Sequence, residues 1–368
     1  MSDDPMLRIT AIKARPVIVP MRLPLHTANG AIDKAALVLI DLQTSGGIVG
    51  RSYLFAIGAH NLRPIVALLE AMAQMLEGDL LAPFEIERKL RKRYALLGVH
   101  NIVLFALSGI DMAAWDARAQ AGGVPLVTLL GGAPRPVRAY NSCGLGIMPV
   151  KALARQARAL LKEGFSAVKL RLGREDANAD LEAVRVVKDA IGPEVTLMCD
   201  FNQGLTVNEA IRRGQMLDDE GGLLWIEEPV RADDFEGNAR VADAVVTPIS
   251  LGENFMGPEQ MATAINFGCC DFVMPDVQRI AGVSGWMRAA ALAEAASLDM
   301  SSHLFPEIGS HLMAVTPTAT GSGCRLGQPG VASRCRSGRS CADCRYAGHR
   351  VAWDEKAVSR YAAWEPAP

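Results

Sequence analysis

A strong net charge is missing from this sequence. Its 368 residues include 38 lysines and arginines and 40 aspartates and glutamates, which gives a formal net charge of −2. A chain so close to neutral presents no broad electrostatic field to a polyanion. We therefore expect neither a nucleic acid nor an anionic membrane surface as a partner.

Long apolar segments are missing as well. Half of the residues are hydrophobic, yet none of their runs reaches the roughly 18 residues that a membrane-spanning helix needs. The first residues, Met-Ser-Asp-Asp-Pro, lack the basic stretch and the apolar stretch of a secretory signal. A cytoplasmic protein is expected, and the length is sufficient for two domains.

Two patterns divide the chain. Strand-like segments over residues 7–20 and 35–53 are followed by helical patterns over residues 60–77 and 100–121, which indicates an α+β domain. From Val137 onward, short apolar runs alternate with amphipathic helices, and such repeated βα units indicate a parallel sheet closed into a barrel. The predicted organisation is an α+β domain over 1–132, a (β/α) barrel over 133–320, and a segment over 351–368 that returns to the first domain.

Three acids follow short apolar runs at nearly even intervals. Asp200 and Glu227 are 27 positions apart, and Glu253 follows after another 26. One strand, one helix and two loops of a βα barrel take about that many residues, and the strand ends meet at the catalytic mouth. Three carboxylates held together would repel one another unless a cation lay between them. Oxygen ligands suit a hard divalent ion, so we predict a Mg²⁺ site.

Two cations lie on a strand that precedes these acids. Lys169 and Arg171 are separated by one residue, so both side chains point to the same face, into the barrel. Buried cations are costly unless they meet anions. An internal salt bridge is one interpretation, whereas the acids at the neighbouring strand ends favour a catalytic role.

A histidine continues the same series. His303 lies 27 positions after Asp276, which ends the preceding predicted strand. Adjacent strand ends can place an aspartate beside a histidine and leave the second ring nitrogen free as a general base. A metal site, a cation pair and a base around one opening suit removal of a proton from the carbon next to a carboxylate. That reaction needs a metal and hydrogen-bond donors already in place for the developing charge.

This series resembles the mandelate racemase subgroup of the enolase superfamily. Further matching text runs in order through nearly the whole chain, at positions 24–28, 37–42, 109–116, 225–229, 301–305 and 316–319. The resemblance implies a modified TIM barrel with an N-terminal α+β capping domain, assembled as a homo-oligomer. It also implies Mg²⁺ on the three acids, the Asp276–His303 pair as the base, and Lys169 near the substrate carboxylate.

The same resemblance places further residues around the substrate. Asn202, Ser142 and Asn141 would line the mouth. Glu228 would contact the metal ligands without binding the metal, or would have a structural role. The capping-domain loops would add four apolar residues and two polar ones: Leu25, Ile32, Phe55, Ile57, His26 and Asn29. An apolar pocket suits an aryl or alkyl group better than a polyol.

One departure from the family concerns the second base. Racemisation uses two bases on opposite faces of the substrate carbon, and the racemase of this family carries Lys-x-Lys on this strand, where the second position here is Arg171. Arginine, with a pKa above ~12, keeps its proton at neutral pH and is a donor to carboxylates rather than a base. His303 alone is enough for dehydration of a 2,3-dihydroxy acid, in which a proton leaves C2 and hydroxide leaves C3.

A second departure is an anomalous segment over residues 321–350. It is rich in glycine and arginine, and four cysteines lie between positions 324 and 344. The family carries a glutamate that binds the substrate carboxylate, and its expected position falls near Gly323. Our hypothesis is a reading-frame error, because suitable codons read in another frame give family-like text. A zinc site is the rival interpretation, although only Cys341 and Cys344 have the short spacing that zinc sites favour.

Three functions are consistent with the sequence. The leading one is Mg²⁺-dependent abstraction of the α-proton of a 2-hydroxycarboxylate through an enediolate, with racemisation as the outcome. The first alternative is an acid-sugar dehydratase that uses His303 as its single base. The second is a barrel that binds metal and acid without turnover, because Gly323 offers no carboxylate. A Schiff-base aldolase that uses Lys169 is disfavoured by the three-acid site.

Overall fold

The computed structural model describes residues 7–28, 30–324 and 351–364. Its N-terminal part contains an antiparallel sheet in the order β1-β2-β3, formed by β1 (Ile9–Thr27), β2 (Gly30–Thr44) and β3 (Val49–Phe55). Every residue from 35 to 40 is buried, so both faces of the central strand are covered.

The first two strands extend beyond the region that the sequence pattern predicted. That pattern ended near residue 20, but β1 and β2 continue as a hairpin in which Leu25 lies opposite Ile32. A register shift separates Pro20 from Leu25, so the hairpin departs from the plane of the sheet. The sequence concealed this extension because Pro20 and Pro24 interrupt the strand pattern.

Helices complete the capping domain and cover the sheet. α3 is buried along almost all of its length, and it packs against β3 and against a barrel helix. The capping-domain helices are α1 (Leu62–Leu76), α2 (Pro83–Arg93), α3 (Asn101–Ala121) and α4 (Leu126–Leu129).

The second part of the described chain is a closed barrel of parallel strands in the order β10-β11-β4-β5-β6-β7-β8-β9. The predicted fold class, a βα barrel with an α+β cap, is confirmed. The strands are β4 (Ala139–Asn141), β5 (Ala167–Arg171), β6 (Thr196–Asp200), β7 (Leu223–Glu227), β8 (Ile249–Leu251), β9 (Phe272–Val273), β10 (Asp299–Ser302) and β11 (Ala319–Cys324).

A helix follows each barrel strand from β4 to β10, as the βα pattern requires. In chain order these are α5 (Val150–Leu161), α6 (Ala177–Ile191), α7 (Val207–Glu220), α8 (Phe235–Ala244), α9 (Pro258–Phe267), α10 (Gly282–Ala295) and α11 (Pro306–Val315). None of the helices in the described ranges is both long enough and apolar enough to cross a membrane.

The interior of the barrel is filled by side chains rather than open. Tyr140, Met198 and Trp225 come from three different strands, Met274 directly follows β9, and the four side chains pack together. The rings of Tyr140 and Trp225 meet edge to face, with centroids 5.7 Å apart. This layer closes the barrel from within, so a ligand can enter only at the ends of the strands.

The segment after the anomalous region lies against the capping domain. Trp353 donates to Asp41 Oδ1 at 2.8 Å, and Arg15 Nη1 is 2.6 Å from Glu355 Oε2. The helix α12 (Glu355–Tyr361) contacts β1. The domain limits near residues 132 and 320 stay predictions, and residues 325–350, which hold most of the anomalous segment, lie outside the described part.

Candidate active site

Three carboxylates meet at the carboxyl ends of neighbouring barrel strands. Asp200 is the last residue of β6, Glu227 is the last of β7, and the two lie opposite each other in the strand pairing. Glu253 follows shortly after β8. One ligand oxygen from each acid lies within 4.8 Å of the others. The even spacing in the sequence thus becomes one cluster in space.

The electrostatics of this acid trio call for a cation. Asp200 and Glu227 are buried, and Glu253 is half-buried. Burial raises the pKa of Glu227 to about 8, with the charges of Asp200 and Glu253 adding to the effect and Lys169 opposing it. Carboxylates crowded at low dielectric behave in this way because their negative charges repel. A divalent cation among the three oxygens would relieve the repulsion, so the donor set fits Mg²⁺.

Lys169 lies inside the barrel with its ammonium group against two of the acids. Its Nζ is 2.5 Å from Glu227 Oε1 and 3.0 Å from Asp200 Oδ2, and the side chain is buried. Burial alone would lower the pKa of Lys169, but the two carboxylates outweigh burial and raise that pKa above its ordinary value. Lys169 therefore keeps its proton at neutral pH and acts as a hydrogen-bond donor.

Arg171 ends β5 and is also buried. Its Nη1 donates to the carbonyl oxygens of Ser142 at 2.8 Å and Gly144 at 3.4 Å. Its Nε has no hydrogen-bond partner among the residues that the structure describes. A buried donor left unsatisfied costs about 1–3 kcal/mol, so this N–H group is suited to contact a bound ligand.

His303 follows β10 and pairs with Asp276. Its Nδ1 is 2.8 Å from Asp276 Oδ2, and the two residues also form a parallel backbone bridge. Its Nε2 is 3.2 Å from Glu253 Oε2, so the ring lies between the aspartate and the acid trio. Because the aspartate engages Nδ1, Nε2 is the nitrogen directed at the mouth.

Left-handed backbone conformations are concentrated in the loops that carry these side chains. Asn202 and Gln203 have φ values of 47° and 64°, and Glu228 has a φ of 41°. Leu304 and Phe305, directly after His303, have φ values of 51° and 47°. Such conformations are unfavourable for residues with a side chain, and they persist at functional sites where the surrounding structure holds them.

The hairpin of β1 and β2 reaches the barrel mouth. Leu25 is buried and Ile32 half-buried, whereas the His26 side chain is exposed. The backbone N–H of Ile147 donates to the carbonyl of His26 at 2.9 Å. A Cβ atom added at Gly146 would lie 2.6 Å from that carbonyl oxygen, so this close approach requires glycine.

The tip of the hairpin crosses to the next two strands. Cβ atoms added at Gly173 and Gly204 would lie 3.0 Å and 2.8 Å from the Ala28 side chain. These glycines follow β5 and β6, so the hairpin covers the side of the mouth that holds Lys169. Asn29, predicted to bind substrate, lies outside the described residues.

The three residues predicted to line the mouth differ in their contacts. Asn202 donates its backbone N–H to Asp200 Oδ1 at 2.7 Å and therefore lies beside the acid trio. Ser142 is buried, and its carbonyl accepts the arginine hydrogen bond described above. The side-chain nitrogen of Asn141, Nδ2, lies 3.5 Å from the carbonyl oxygen of Leu160 in α5. Asn141 is thus turned toward a helix, and its place at the mouth stays a prediction.

Glu228 is buried behind the acid trio in a polar network. Its carboxylate accepts from Asn254 at 2.5 Å and from Gln203 at 3.3 Å, and Asn254 accepts from Arg279. Burial first, and then the charge of Glu253, raises the pKa of Glu228 well above its ordinary value. All of these partners are protein side chains. Asn254 and Arg279 were not predicted from the sequence to take part in this network.

Phe55 and Ile57 lie where β3 leaves the sheet. The backbone N–H of Phe55 donates to Gln278 Oε1 at 2.7 Å, and its carbonyl accepts from Gln278 Nε2 at 3.1 Å. Ile57 is 42% exposed. Gln278 was not among the predicted site residues, and the available signal was its position two residues after Asp276.

Comparisons with known families cover most of the chain. Residues 9–131 match the N-terminal domain of the mandelate racemase / muconate lactonizing enzyme family. Residues 152–325 match the family described as enolase C-terminal domain-like. Among curated proteins, the chain is 30% identical to L-talarate/galactarate dehydratase of Salmonella typhimurium over 323 residues, which are 84% of this chain and 79% of that protein.

Two solved structures are similar over almost the whole chain. An enolase from alpha proteobacterium bal199 with bound magnesium is 41% identical, with a TM-score of 0.94, and the match covers 97% of this chain and all of that one. An enolase from Bradyrhizobium, complexed with magnesium and mandelic acid, is 39% identical, with a TM-score of 0.92. That match covers 98% of this chain and 100% of the other.

Proposed function

The chain belongs to the mandelate racemase / muconate lactonizing enzyme family of the enolase superfamily, and from this premise we propose that it removes the α-proton of a 2-hydroxycarboxylate through His303. It is an enzyme of that family, and Mg²⁺ is its cofactor. One observation carries the proposal: the acid trio lies against the His303–Asp276 pair. The distance from Nε2 of His303 to Oε2 of Glu253 is 3.2 Å.

The residues divide the work of proton removal among them. Asp200, Glu227 and Glu253 would hold Mg²⁺, which when bound supplies positive charge for the substrate carboxylate as negative charge grows there. Lys169 donates a hydrogen bond to the same carboxylate. The Nε2 atom of His303 takes the proton from the α-carbon, and an enediolate results.

Asp276 and Arg171 prepare the site for this step. The carboxylate of Asp276 holds the Nδ1–H of His303, so the ring keeps the tautomer whose Nε2 can accept a proton. Arg171 offers the N–H of its Nε atom to a carboxylate or hydroxyl group of the substrate. Because arginine is a donor rather than a base, we do not expect it to accept a proton from the opposite face of the carbon.

This single-base arrangement favours dehydration of a 2,3-dihydroxy acid. After His303 has taken the C2 proton, the electron pair of the broken C–H bond forms a C2–C3 double bond while the C3 oxygen departs. The proton on Nε2 can pass to that oxygen, which leaves as water, and the enol product becomes a 2-keto-3-deoxy acid. The likeness to L-talarate/galactarate dehydratase supports this outcome.

Racemisation of an aryl or alkyl 2-hydroxy acid is the second candidate. Apolar side chains around the hairpin and β3 suit such a group, and the Bradyrhizobium relative was solved with mandelic acid. A polar sugar acid would find less hydrogen bonding from Leu25, Ile32 and Ile57. A homo-oligomeric state and a cytoplasmic location stay predictions from the sequence.

Proton exchange in D₂O separates these candidates. Both enantiomers of a set of aryl 2-hydroxy acids and sugar acids would be incubated with the protein and Mg²⁺, and followed by NMR. We expect exchange or dehydration from one configuration at C2 only, which EDTA stops. Exchange with inversion of both enantiomers would favour the racemase instead, and Mg²⁺-dependent binding without any exchange would favour a barrel without turnover.

The variant His303→Asn tests the assigned base. We expect the exchange rate to fall by about 10²- to 10⁴-fold, the usual effect of losing a general base. His100→Asn is a matched control, because His100 is exposed before α3 and its side chain makes no capping hydrogen bond there. An exchange rate in His303→Asn equal to that of the unmodified protein would contradict the proposal, and so would exchange by the metal-free enzyme.

A further inference from the structure

The edge strand β3 of the capping domain contacts both loops that carry the base pair. The hydroxyl of Tyr53 donates to Glu307 Oε2 at 2.9 Å, and its ring centroid is 4.8 Å from that of Phe305. These two residues belong to the loop and helix that follow His303. Two residues along the strand, the backbone of Phe55 contacts Gln278, in the loop that follows β9.

The side chain of Gln278 pairs with β3 as a neighbouring strand would. Its carboxamide oxygen accepts from the N–H of Phe55, and its carboxamide nitrogen donates to the carbonyl of the same residue. The backbone N–H and carbonyl of Phe55, at the edge of the sheet, are thereby both hydrogen-bonded. Gln278 is only 2% exposed, so water cannot readily replace either hydrogen bond.

The backbone of Gln278 holds the aspartate of the base pair at the same time. Its N–H donates to Asp276 Oδ1 at 2.7 Å, while Asp276 Oδ2 lies 2.8 Å from Nδ1 of His303. Both carboxylate oxygens of Asp276 are therefore engaged, one by the loop and one by the imidazole. A single residue thus joins the capping domain to the group that orients the base.

The segment after Phe55 is itself held in a strained conformation. Ile57 has a φ of 65°, which is rare for a β-branched residue. On its N-terminal side, the N–H of Ala56 donates to the carbonyl of Ala36 at 2.8 Å. The carbonyl of Ala56 accepts from the side-chain amide of Asn61 at 2.9 Å. Such strain persists only where neighbouring contacts determine the backbone, and Gln278 supplies two of those contacts.

We propose that Gln278 is a positioning residue that fixes the pocket wall at Phe55 and Ile57 relative to the His303–Asp276 base. The inference rests on the proposed function, because it assigns the wall to the substrate and the base to its α-carbon. The hydrogen bonds of Gln278 described above go to Asp276 and to the backbone of β3, and it acts through these two partners. The capping domain thereby sets the geometry of proton transfer as well as the shape of the pocket.

The test compares Gln278→Met with a matched control in the purified, Mg²⁺-loaded protein. Methionine is close in volume but makes neither hydrogen bond to Phe55. Glu87→Gln is the control, because Glu87 also joins the two domains, through Arg288 at 2.6 Å on α10, with no described contact to the base pair. The readouts are kcat and KM, the unfolding midpoint, and the downfield proton resonance of the Nδ1–H group of His303.

We expect Gln278→Met to lower kcat by about 10- to 100-fold, the range seen when supporting residues of a catalytic group are lost. The Nδ1–H resonance should shift or broaden in this variant. Glu87→Gln should lower the unfolding midpoint and leave both kcat and the resonance unchanged. A Gln278→Met protein that is destabilised but keeps kcat and the resonance would overturn the proposal, since a purely structural role predicts that result.

Two further outcomes keep the inference separate from the proposed function. If the unmodified protein exchanges no acid, the proposed function has failed, and the resonance in the variants alone decides the role of Gln278. If Gln278→Met does not fold, Gln278→Glu replaces it, because glutamate keeps the acceptor for the Phe55 N–H and loses the donor to its carbonyl. We expect Gln278→Glu to lower kcat and shift the resonance, and an unchanged kcat with an unchanged resonance would again overturn the proposal.

Discussion

Arg171 occupies the position at which racemisation would need a second base. Its guanidinium donates to two carbonyls of the loop after β4, and arginine is a hydrogen-bond donor rather than a base. Lys169, two residues earlier, is held protonated by Asp200 and Glu227. Under the proposed function, the side chains of this strand bind and orient the substrate, and His303 carries out the proton transfer.

The variant Arg171→Lys should add the missing base. A lysine there would lie close to the cation of Lys169 in a buried site, and both conditions lower its pKa toward neutrality. We expect exchange of the opposite enantiomer to rise by at least about 10-fold over the unmodified protein, measured by NMR in D₂O. Arg185→Lys on the exposed surface of α6 is the matched control. No gain in exchange from that enantiomer would contradict the role given to Arg171.

The sequence predicted some of these residues and missed others for a physical reason. Asp200 and Glu227 end their strands and His303 directly follows its own, and the βα repeat alone brings strand ends together. Tyr53 and Gln278 connect the capping domain to the loops around the base pair, through contacts between domains. Such contacts depend on how two folded units pack, and no local periodicity records them.

At the scale of secondary structure, apolar helices were predicted well and the most polar one was missed. The helical patterns over residues 60–77 and 100–121 correspond to α1 and α3 within two residues. α2 was missed because charged residues dominate it and its apolar stripe is short. Yet α2 joins the domains, since Glu87 contacts Arg288 in α10 and is only 4% exposed.

This contact predicts a pH-dependent stability. Burial opposes ionisation of Glu87, but hydrogen bonds and charges from Arg288 and Arg91 outweigh burial and lower the pKa of Glu87 below its ordinary value. A lowered carboxyl pKa contributes stability above the pKa of the unfolded chain, and that contribution is lost as pH falls through the folded pKa. Glu87→Gln should therefore lower the free energy of unfolding by about 1–3 kcal/mol at pH 7, and by less near pH 4.

Urea unfolding at both pH values measures this effect. Glu85→Gln on the same helix is the control, because Glu85 and its partner Arg88 are both largely exposed. An exposed pair of this kind contributes less than about 1 kcal/mol. Equal losses for Glu87→Gln at pH 7 and pH 4 would show that the ionised pair does not account for the stability.

At the scale of the whole molecule, the cap, the barrel and residues 351–364 form a consistent family fold around the mouth. The Cys-rich stretch over 321–350 differs from the rest of the chain in its composition. We propose that a frame error in the gene sequence produced it, and that the true text carries a glutamate near position 323. The rival zinc hypothesis concerns the same cysteines.

Two measurements on the cloned gene and its product decide between these hypotheses. Resequencing should reveal a shifted frame across codons 320–350, and metal analysis should find no stoichiometric zinc in the purified protein. One zinc per chain, together with an unshifted gene sequence, would contradict the frame error. Kinetics should be measured on the corrected sequence, because the restored glutamate, in its protonated form, would provide a further donor to the substrate carboxylate.

The central claim is that one Mg²⁺ ion lies among Asp200, Glu227 and Glu253, opposite Nε2 of His303. A crystal structure of the protein with Mg²⁺ and a slowly reacting 2-hydroxy acid tests it most directly. We predict a metal bound to all three carboxylates at about 2.0–2.1 Å, with the α-carbon facing Nε2 of His303. A crystal with no metal among the three acids, or with the α-carbon turned away from the imidazole, would contradict this account.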